Sequence, residues 1–354
     1  MSAVLGAAFL GNPAAAQGKP LNVVASFSVI ADFAKNVGGD RVAVESIVPV
    51  NGDAHTFEPR PADVIALKRA DLVLVNGLQF DPFMQRLASS SGTKAALVEV
   101  TKGIKPLKNQ EEEHDHDGDH DHDHDHGKGE AHGHDHNHDK GEAHEHGHDH
   151  EHHHDHDKEG AHDHDHDHEH EHGHHHHGQF DPHAWQSVPN AIVYVKNIAD
   201  ALCKADSAGC DTYKKNASDY TQKLQALDES VKAAFAALPK DRRTIITSHD
   251  AFGYLGNTYG LTLLAPEGTS SETEATAADV AAIIRQVRED KGAAIFMENI
   301  TNPALIKQIS SETGVPVGGK LFSDALSGPD EPASTYLDMM KYNVDTITSA
   351  ILKK

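Results

Sequence analysis

The chain of 354 residues is 38% hydrophobic and carries 55 acidic against 31 basic side chains, a formal net charge of −24. That length suffices for two modest domains, and an excess of acid argues against nucleic acid as a partner. The acid is concentrated, however: residues 111–178 hold 24 carboxylates and three lysines, which leaves the rest of the chain near −3.

The first 20 residues, "MSAVLGAAFLGNPAAAQGKP", join a short apolar run to Ala14, Ala15 and Ala16, the pattern of a secretory signal peptide and its small-residue cleavage site. Cleavage is expected after Ala16. The run lacks a preceding Lys or Arg, a departure from the usual leader. No Cys stands nearby to carry a lipid, and no later run approaches the roughly 18 apolar residues of a membrane span. The expectation is a soluble, secreted periplasmic protein.

From Leu21 the chain alternates β-rich runs with helical patterns. "LNVVASFSV", "RVAVESIVPV", "DLVLVNG" and "ALVEV" read as strands, separated by segments such as "PADVIALKRA" and "DPFMQRLASS". Then comes the tract from Glu111 to Gly178, which holds 28 of the 31 histidines and no Leu, Ile, Val, Phe, Tyr or Trp. Without apolar side chains it cannot offset the entropy of ordering, so it is expected to be disordered. Its composition reads as a weak metal-binding tract, with His114, His116, His120, His122, His124, His126, His174, His175, His176 and His177 among its donors.

Beyond the tract, Cys203 and Cys210 flank a short polar loop. In an exported chain that pair reads as a local disulfide between two helices. Tyr213, Ala217, Tyr220, Leu224, Leu227, Val231, Ala234 and Leu238 then recur at steps of four and three, one amphipathic helix ended by Pro239. A second set of strands follows, "TIITSH", "LTLLAP", "AAIFMEN" and "VPVGGKLF", separated by "TAADVAAIIRQVRED" and "NPALIKQISSETG". Four strands plus four imply an α/β protein of two lobes, each with a parallel four-stranded sheet flanked by helices, joined by one long rigid helix. The expected divisions are 21–211 for the N-terminal lobe with its insert 111–178, 212–238 for the linking helix, and 239–354 for the C-terminal lobe.

Only His55, His183 and His249 lie outside the tract. Each follows a predicted strand, and Asp324 follows the last strand of the second lobe. Taken singly, a histidine at a strand end is commonly a satisfied polar residue, and an Asp before a helix is commonly a cap. Taken together they look different, because open α/β sheets bind ligands beyond the carboxyl ends of their strands. Two facing lobes would aim all four into one cleft, and three imidazoles with one carboxylate are the donors of a tetrahedral zinc site. The residues alone leave competing functions open. A zinc hydrolase would keep a coordination position for water, and outside residues 111–178 the chain carries neither H-E-x-x-H nor G-x-S-x-G nor a P-loop. A periplasmic zinc buffer or adhesin would use the same four residues without a transporter.

The motifs "GDAHTFEPRPADVIAL", "NGLQFDPF", "FDPHAWQSVPNAIVYVKNIADAL", "TSHDAFGYLGNTYGL" and "LFSDALSG" followed by "TYLDMMKYNVDTI" resemble those of the metal-binding solute-binding proteins of zinc and manganese ABC importers. The resemblance runs from Leu21 over essentially the whole chain except the tract. It implies two lobes joined by a long helix, a single divalent ion in the cleft, and ligands at His55, His183, His249 and Asp324. It also implies delivery to an importer's membrane permease, with a periplasmic zinc chaperone as a further partner and a monomeric state. Zinc-specific relatives carry a His-rich insertion in this place, which would act as a low-affinity collector. The donor set, three nitrogens and one carboxylate, favours Zn²⁺ over manganese, whose preference is for harder, oxygen-rich sites. Imidazole must be neutral to coordinate, so affinity is expected to fall as the pH drops towards about 6.5.

Other features carry narrower expectations. Asp53 and Glu58 are candidates for orienting the His55 imidazole. Trp185, the only tryptophan, is expected to pack beneath His183. Residues 265–279 read as a mobile loop at the cleft mouth or as a capped helix start.

Overall fold

A computed structural model describes residues 19–109, 178–290 and 292–353. The expected leader, apart from Lys19 and Pro20, and the His tract with its ten named histidines, apart from Gly178, lie outside the described residues. The first half runs β1 (Leu21–Phe27), α1 (Ser28–Gly38), β2 (Val42–Val48), α2 (Pro61–Arg69), β3 (Leu72–Val75), α3 (Phe83–Ser91) and β4 (Ala96–Glu99). After the tract come α4 (Val188–Ala205) and α5 (Cys210–Ala236). The second half runs β5 (Thr244–Ile246), α6 (Gly253–Tyr259), β6 (Thr262–Leu264), α7 (Ala277–Glu289), β7 (Ala294–Glu298), α8 (Ala304–Thr313), β8 (Val317–Leu321) and α9 (Tyr336–Leu352).

Each half builds one four-stranded sheet, ordered β2-β1-β3-β4 and β6-β5-β7-β8, and every strand pair is parallel. The apolar runs explain this arrangement. Val23 to Phe27 of β1 and all of β3 are buried whichever way their side chains point, as strands covered on both faces by helices must be. All eight strands expected from the sequence form. The first is shorter than its apolar pattern, because the chain turns into α1 at Ser28 rather than continuing to Val29.

Helix α5 is a single 27-residue element whose buried stripe is Tyr213, Ala217, Tyr220, Leu224, Leu227, Val231 and Phe235. The stripe reaches Phe235 where the steps of three and four suggested Ala234; the larger ring takes the core position. A disulfide joins Cys203 at the end of α4 to Cys210 at the start of α5. One further helix also ties the halves together. The α9 N-terminus packs on α1 and α5, with the Tyr336 N–H donating to Asp32 Oδ2 at 3.1 Å and the Tyr336 hydroxyl to the Trp185 carbonyl at 2.7 Å. The main apolar core accordingly runs through both halves, while Ile246, Ile284, Ile295, Ile306 and Ile309 form a smaller one under the second sheet.

Candidate metal centre

His55, His183, His249 and Asp324 meet in the cleft between the two sheets, with one donor atom of each lying within 4.8 Å of all the others. Their elements explain the convergence. His55 stands in the loop after β2, His183 follows β4 and the tract, His249 follows β5, and Asp324 follows β8, so all four project from carboxyl ends of parallel strands. His183, His249 and Asp324 are fully buried. Asp324 is the hub: its Oδ2 lies 3.2 Å from Nε2 of His55 and 3.2 Å from Nε2 of His249, and its Oδ1 lies 3.6 Å from Nε2 of His183.

What holds the His183 and His249 imidazoles is a second carboxylate. The backbone N–H of His183 donates to Asp181 Oδ1 at 2.9 Å, and the same oxygen stands 2.8 Å from its Nδ1. Glu298, the last residue of β7, accepts the Ser248 and His249 backbone N–H groups on Oε1 at 2.9 and 3.0 Å. Its Oε2 is 2.7 Å from His249 Nδ1, a charge contact off the line of a straight hydrogen bond. A carboxylate on Nδ1 fixes the ring and leaves Nε2 to face the cleft. Asp181 has room because α6 begins with Gly253, where a Cβ would stand 2.5 Å from Asp181 Oδ2. His55 differs. Asp53 Oδ1 accepts its backbone N–H at 2.9 Å, but among the described residues no carboxylate other than Asp324 stands against the ring, which packs on the edge of Phe80 with centroids 5.1 Å apart.

The expectation for Asp53 is therefore corrected from the ring to the main chain of His55. Glu58 stands exposed. Trp185 does pack against His183, ring centroids 5.3 Å apart, and its indole N–H also crosses to the Ser323 carbonyl at 3.0 Å. Segment 265–279 supplies the capped helix start: Thr276 and Asp279 form a capping box on α7, and upstream of it Ser271 Oγ donates to Asp53 Oδ2 at 2.6 Å. Asp181 and Glu298 had escaped notice as supporting residues. Their signals were an Asp two residues before His183 and a Glu closing an apolar strand.

Charge in the cleft is balanced by protons when metal is absent. Burial opposes a charged His183, but the carboxylates of Asp324 and Asp181 outweigh it and lift its pKa to about 9. His249 is likewise raised well above the ordinary imidazole range, with burial overcome by Glu298 and Asp324. Burial would push the Asp324 carboxyl up; the facing His183 and His249 hold it well below the usual range instead. Glu267, half-buried beside the cleft, rises to about 7 through burial and the nearby Glu298, Glu274 and Asp53.

A cation fits this donor set. His55 Nε2, His183 Nε2 and Asp324 Oδ1 are buried without a hydrogen-bond partner, a costly state unless something else satisfies them. Three such atoms around one point suit a divalent ion. Two parallel-sheet lobes with convergent nitrogen and carboxylate donors between them define a binding protein for a metal ion.

Comparison with known proteins gives the family. The family model described as ZnuA, "Zinc-uptake complex component A periplasmic", matches residues 23–350, and the chain belongs to this family. It is 29% identical to the metal ABC transporter substrate-binding lipoprotein FimA of Streptococcus parasanguinis, over 96% of this chain and 92% of the relative. It is also 29% identical to the iron-binding protein YfeA of Yersinia pestis, over 93% and 86%. Among solved structures it is similar to the periplasmic zinc binding protein TroA of Treponema pallidum, at 26% identity and TM-score 0.72, covering 94% of this chain and 99% of that one. The protein is thus the extracytoplasmic metal-binding component of an ABC importer, which implies a membrane permease as partner, and it is not an enzyme.

Proposed function

We propose that the protein captures Zn²⁺ in the cleft, with His55, His183, His249 and Asp324 as its four ligands, and delivers it to the importer's permease. The observation that carries this is the set of unpartnered buried atoms, His55 Nε2, His183 Nε2 and Asp324 Oδ1, facing one another. Capture exchanges protons for metal: His183 and His249 give up the protons that balance Asp324, Asp181 and Glu298, and the ion takes over that role. Residues 21–211 and 239–354 act as the two lobes and 212–238 as the helix between them.

Zinc is favoured by donor chemistry, since three imidazoles and one carboxylate bind Zn²⁺ more tightly than Mn²⁺ in a site of given geometry. The relatives give manganese a claim as the second reading, because the protein named PsaA of Streptococcus anginosus, 28% identical over 97% of this chain, is a manganese transporter's substrate-binding lipoprotein. Titration of each ion against a competing chelator distinguishes them. Zn²⁺ binding tighter by orders of magnitude is the expected result; equal or tighter Mn²⁺ binding would overturn the choice of zinc. We assign the His tract the role of a low-affinity collector. Its alternating His and acid residues offer many interchangeable chelates, and it joins the chain just before His183, so ions it captures would raise the supply to the tight site. Deleting residues 111–178 should reduce the stoichiometry from several ions to one and leave the tightest Kd within a few-fold; loss of the tight site would make the tract the primary receptor.

A further inference from the structure

Asp324 presents a problem of support. Its carboxylate faces three imidazoles and has no hydrogen-bond donor on Oδ1. Among the described residues, no backbone N–H holds that side chain as Asp181 and Glu298 are held. Its aim must come from the residues on either side of it.

One side chain holds both neighbours. Asn299, just after β7, accepts the Ser323 N–H on Oδ1 at 3.3 Å and donates from Nδ2 to the Ala325 carbonyl at 3.2 Å. The two contacts bracket Asp324. The Asn299 main-chain N–H is itself fixed on the Leu321 carbonyl at 3.0 Å. From the other lobe, Trp185 Nε1 and Gln186 Nε2 both donate to the Ser323 carbonyl, at 3.0 and 2.7 Å.

The same amide reaches across to the loop of another ligand. Asn299 Nδ2 also donates to Asn51 Oδ1 at 3.3 Å. Asn51 lies four residues before His55, in the left-handed backbone region with φ of 56°, a conformation that Asn tolerates better than most residues. Its N–H donates to the Leu326 carbonyl at 2.8 Å and its Nδ2 to Glu331 Oε2 at 2.9 Å. The first-lobe loop that carries His55 is thus anchored on the second-lobe loop that carries Asp324.

We propose that Asn299 and Asn51 are positioning residues for metal capture: Asn299 aims the Asp324 carboxylate by holding the main chain of the residue on each side of it, Ser323 and Ala325, and Asn51 locks that frame to the His55 loop. Neither touches the ion. The proposal rests on the reading of Asp324 and His55 as ligands. A ligand displaced by about an ångström loses most of its bond to a small cation, and removing a residue that supports a ligand commonly costs about 10- to 100-fold in affinity. Asn299→Ala is expected at the upper part of that range. Asn51→Gly, which keeps the left-handed backbone but removes the amide, is expected to cost several-fold, because Asn51 is exposed.

The test uses the full chain with Zn²⁺ and a chelator strong enough to strip the weaker sites, together with thermal melts with and without zinc. The expected result is a weakened tight site in both variants, with the metal-free melting temperature little changed and the zinc-induced rise reduced. In an Asp324→Ala background, Asn299→Ala should add no further loss. Equal lowering of the metal-free and zinc-bound melting temperatures would assign Asn299 a merely structural role and overturn the proposal. So would wild-type affinity in both variants while Asp324→Ala abolishes the tight site. If Asp324→Ala itself binds zinc like the wild type, the ligand reading fails instead. Should Asn299→Ala not fold, the affinity of Asn51→Gly decides alone.

Discussion

The two lobes share a strand order, β2-β1-β3-β4 against β6-β5-β7-β8, yet they hold their ligands differently. His183 and Asp324 follow equivalent strands, β4 and β8, and are buried neighbours. His55 and His249 come from strands that do not correspond. His249 has both its backbone N–H and its Nδ1 on Glu298, whereas His55 has only its backbone N–H on Asp53. The repeated fold supplies a ring of strand ends, and the choice and stiffness of each ligand come from particular acids beside it. His55 is the loosest of the four.

The largest effect should come from the hub. Asp324→Ala removes the one group that faces all three imidazoles, and zinc affinity should fall by more than the roughly 10- to 100-fold that loss of a supporting residue costs. His183→Ala and His249→Ala should approach the same loss, His55→Ala a smaller one. The thermal stabilisation by zinc, which follows affinity by mass action, checks all four. A His55→Ala variant as crippled as Asp324→Ala would erase the distinction between braced and loose ligands.

The supporting acids sharpen the comparison at the next level. Glu298→Gln and Asp181→Asn keep the shape of each contact but remove its charge, and each should weaken zinc by about 10- to 100-fold. Asp53→Asn reaches His55 only through its main chain and should cost less than either. Chelator competition reads the order; Asp53→Asn as damaging as Glu298→Gln would show that the ring contact is not what matters.

A pH titration reads the same bracing without mutation, and its effect is smaller. His183 in the metal-free fold has a pKa lifted to about 9, against about 6.5 for an unfolded histidine. A raised pKa means that the proton stabilises the fold: the contribution is complete below about 6.5 and is lost as the pH rises through about 9. The metal-free melting temperature should therefore decline over that window. Zinc should show the opposite trend, its stabilising increment growing as fewer protons remain to be displaced. The structure thus moves the proton competition above the window near 6.5 that unperturbed imidazoles suggested. A metal-free melting curve independent of pH between 6.5 and 9 would contradict the charge balance.

Much of this was legible in the chain. Strands alternating with helices gave the two sheets, because parallel strands buried on both faces leave long apolar runs such as "LVLV". The ligands were legible because a chain with so many histidines keeps only three outside one tract. The braces were harder to read. Asp181 and Glu298 look like any other acids until the fold brings Glu298 to His249, 49 residues away in sequence. The anchoring of Asn51 on Leu326 spans a still longer stretch, and no local pattern encodes such a contact. Helix α9 carries an apolar face like many others, and only the packed structure shows it reaching α1 through Asp32 and Tyr336.

The smallest effect on metal should come from the feature farthest from these braces. Cys203 and Cys210 close a loop with a sequence separation of 7 at the junction of α4 and α5, and neither α4 nor α5 carries one of the four ligands. A loop so short restricts the unfolded chain only modestly, so reduction should cost about 2–3 kcal/mol of stability by the loop-entropy relation. The braces are all hydrogen bonds and charge contacts among residues 49–55, 181–186, 248–249, 298–299 and 323–326, and none passes through the α4–α5 junction. Cys203→Ser with Cys210→Ser should then lower the melting temperature with and without zinc by the same amount and leave the zinc Kd unchanged. A fall in affinity in this pair would mean that the seat of the cleft ligands depends on how α5 is anchored at its start, and the contrast would lie between the two ends of that helix rather than between braced and loose ligands.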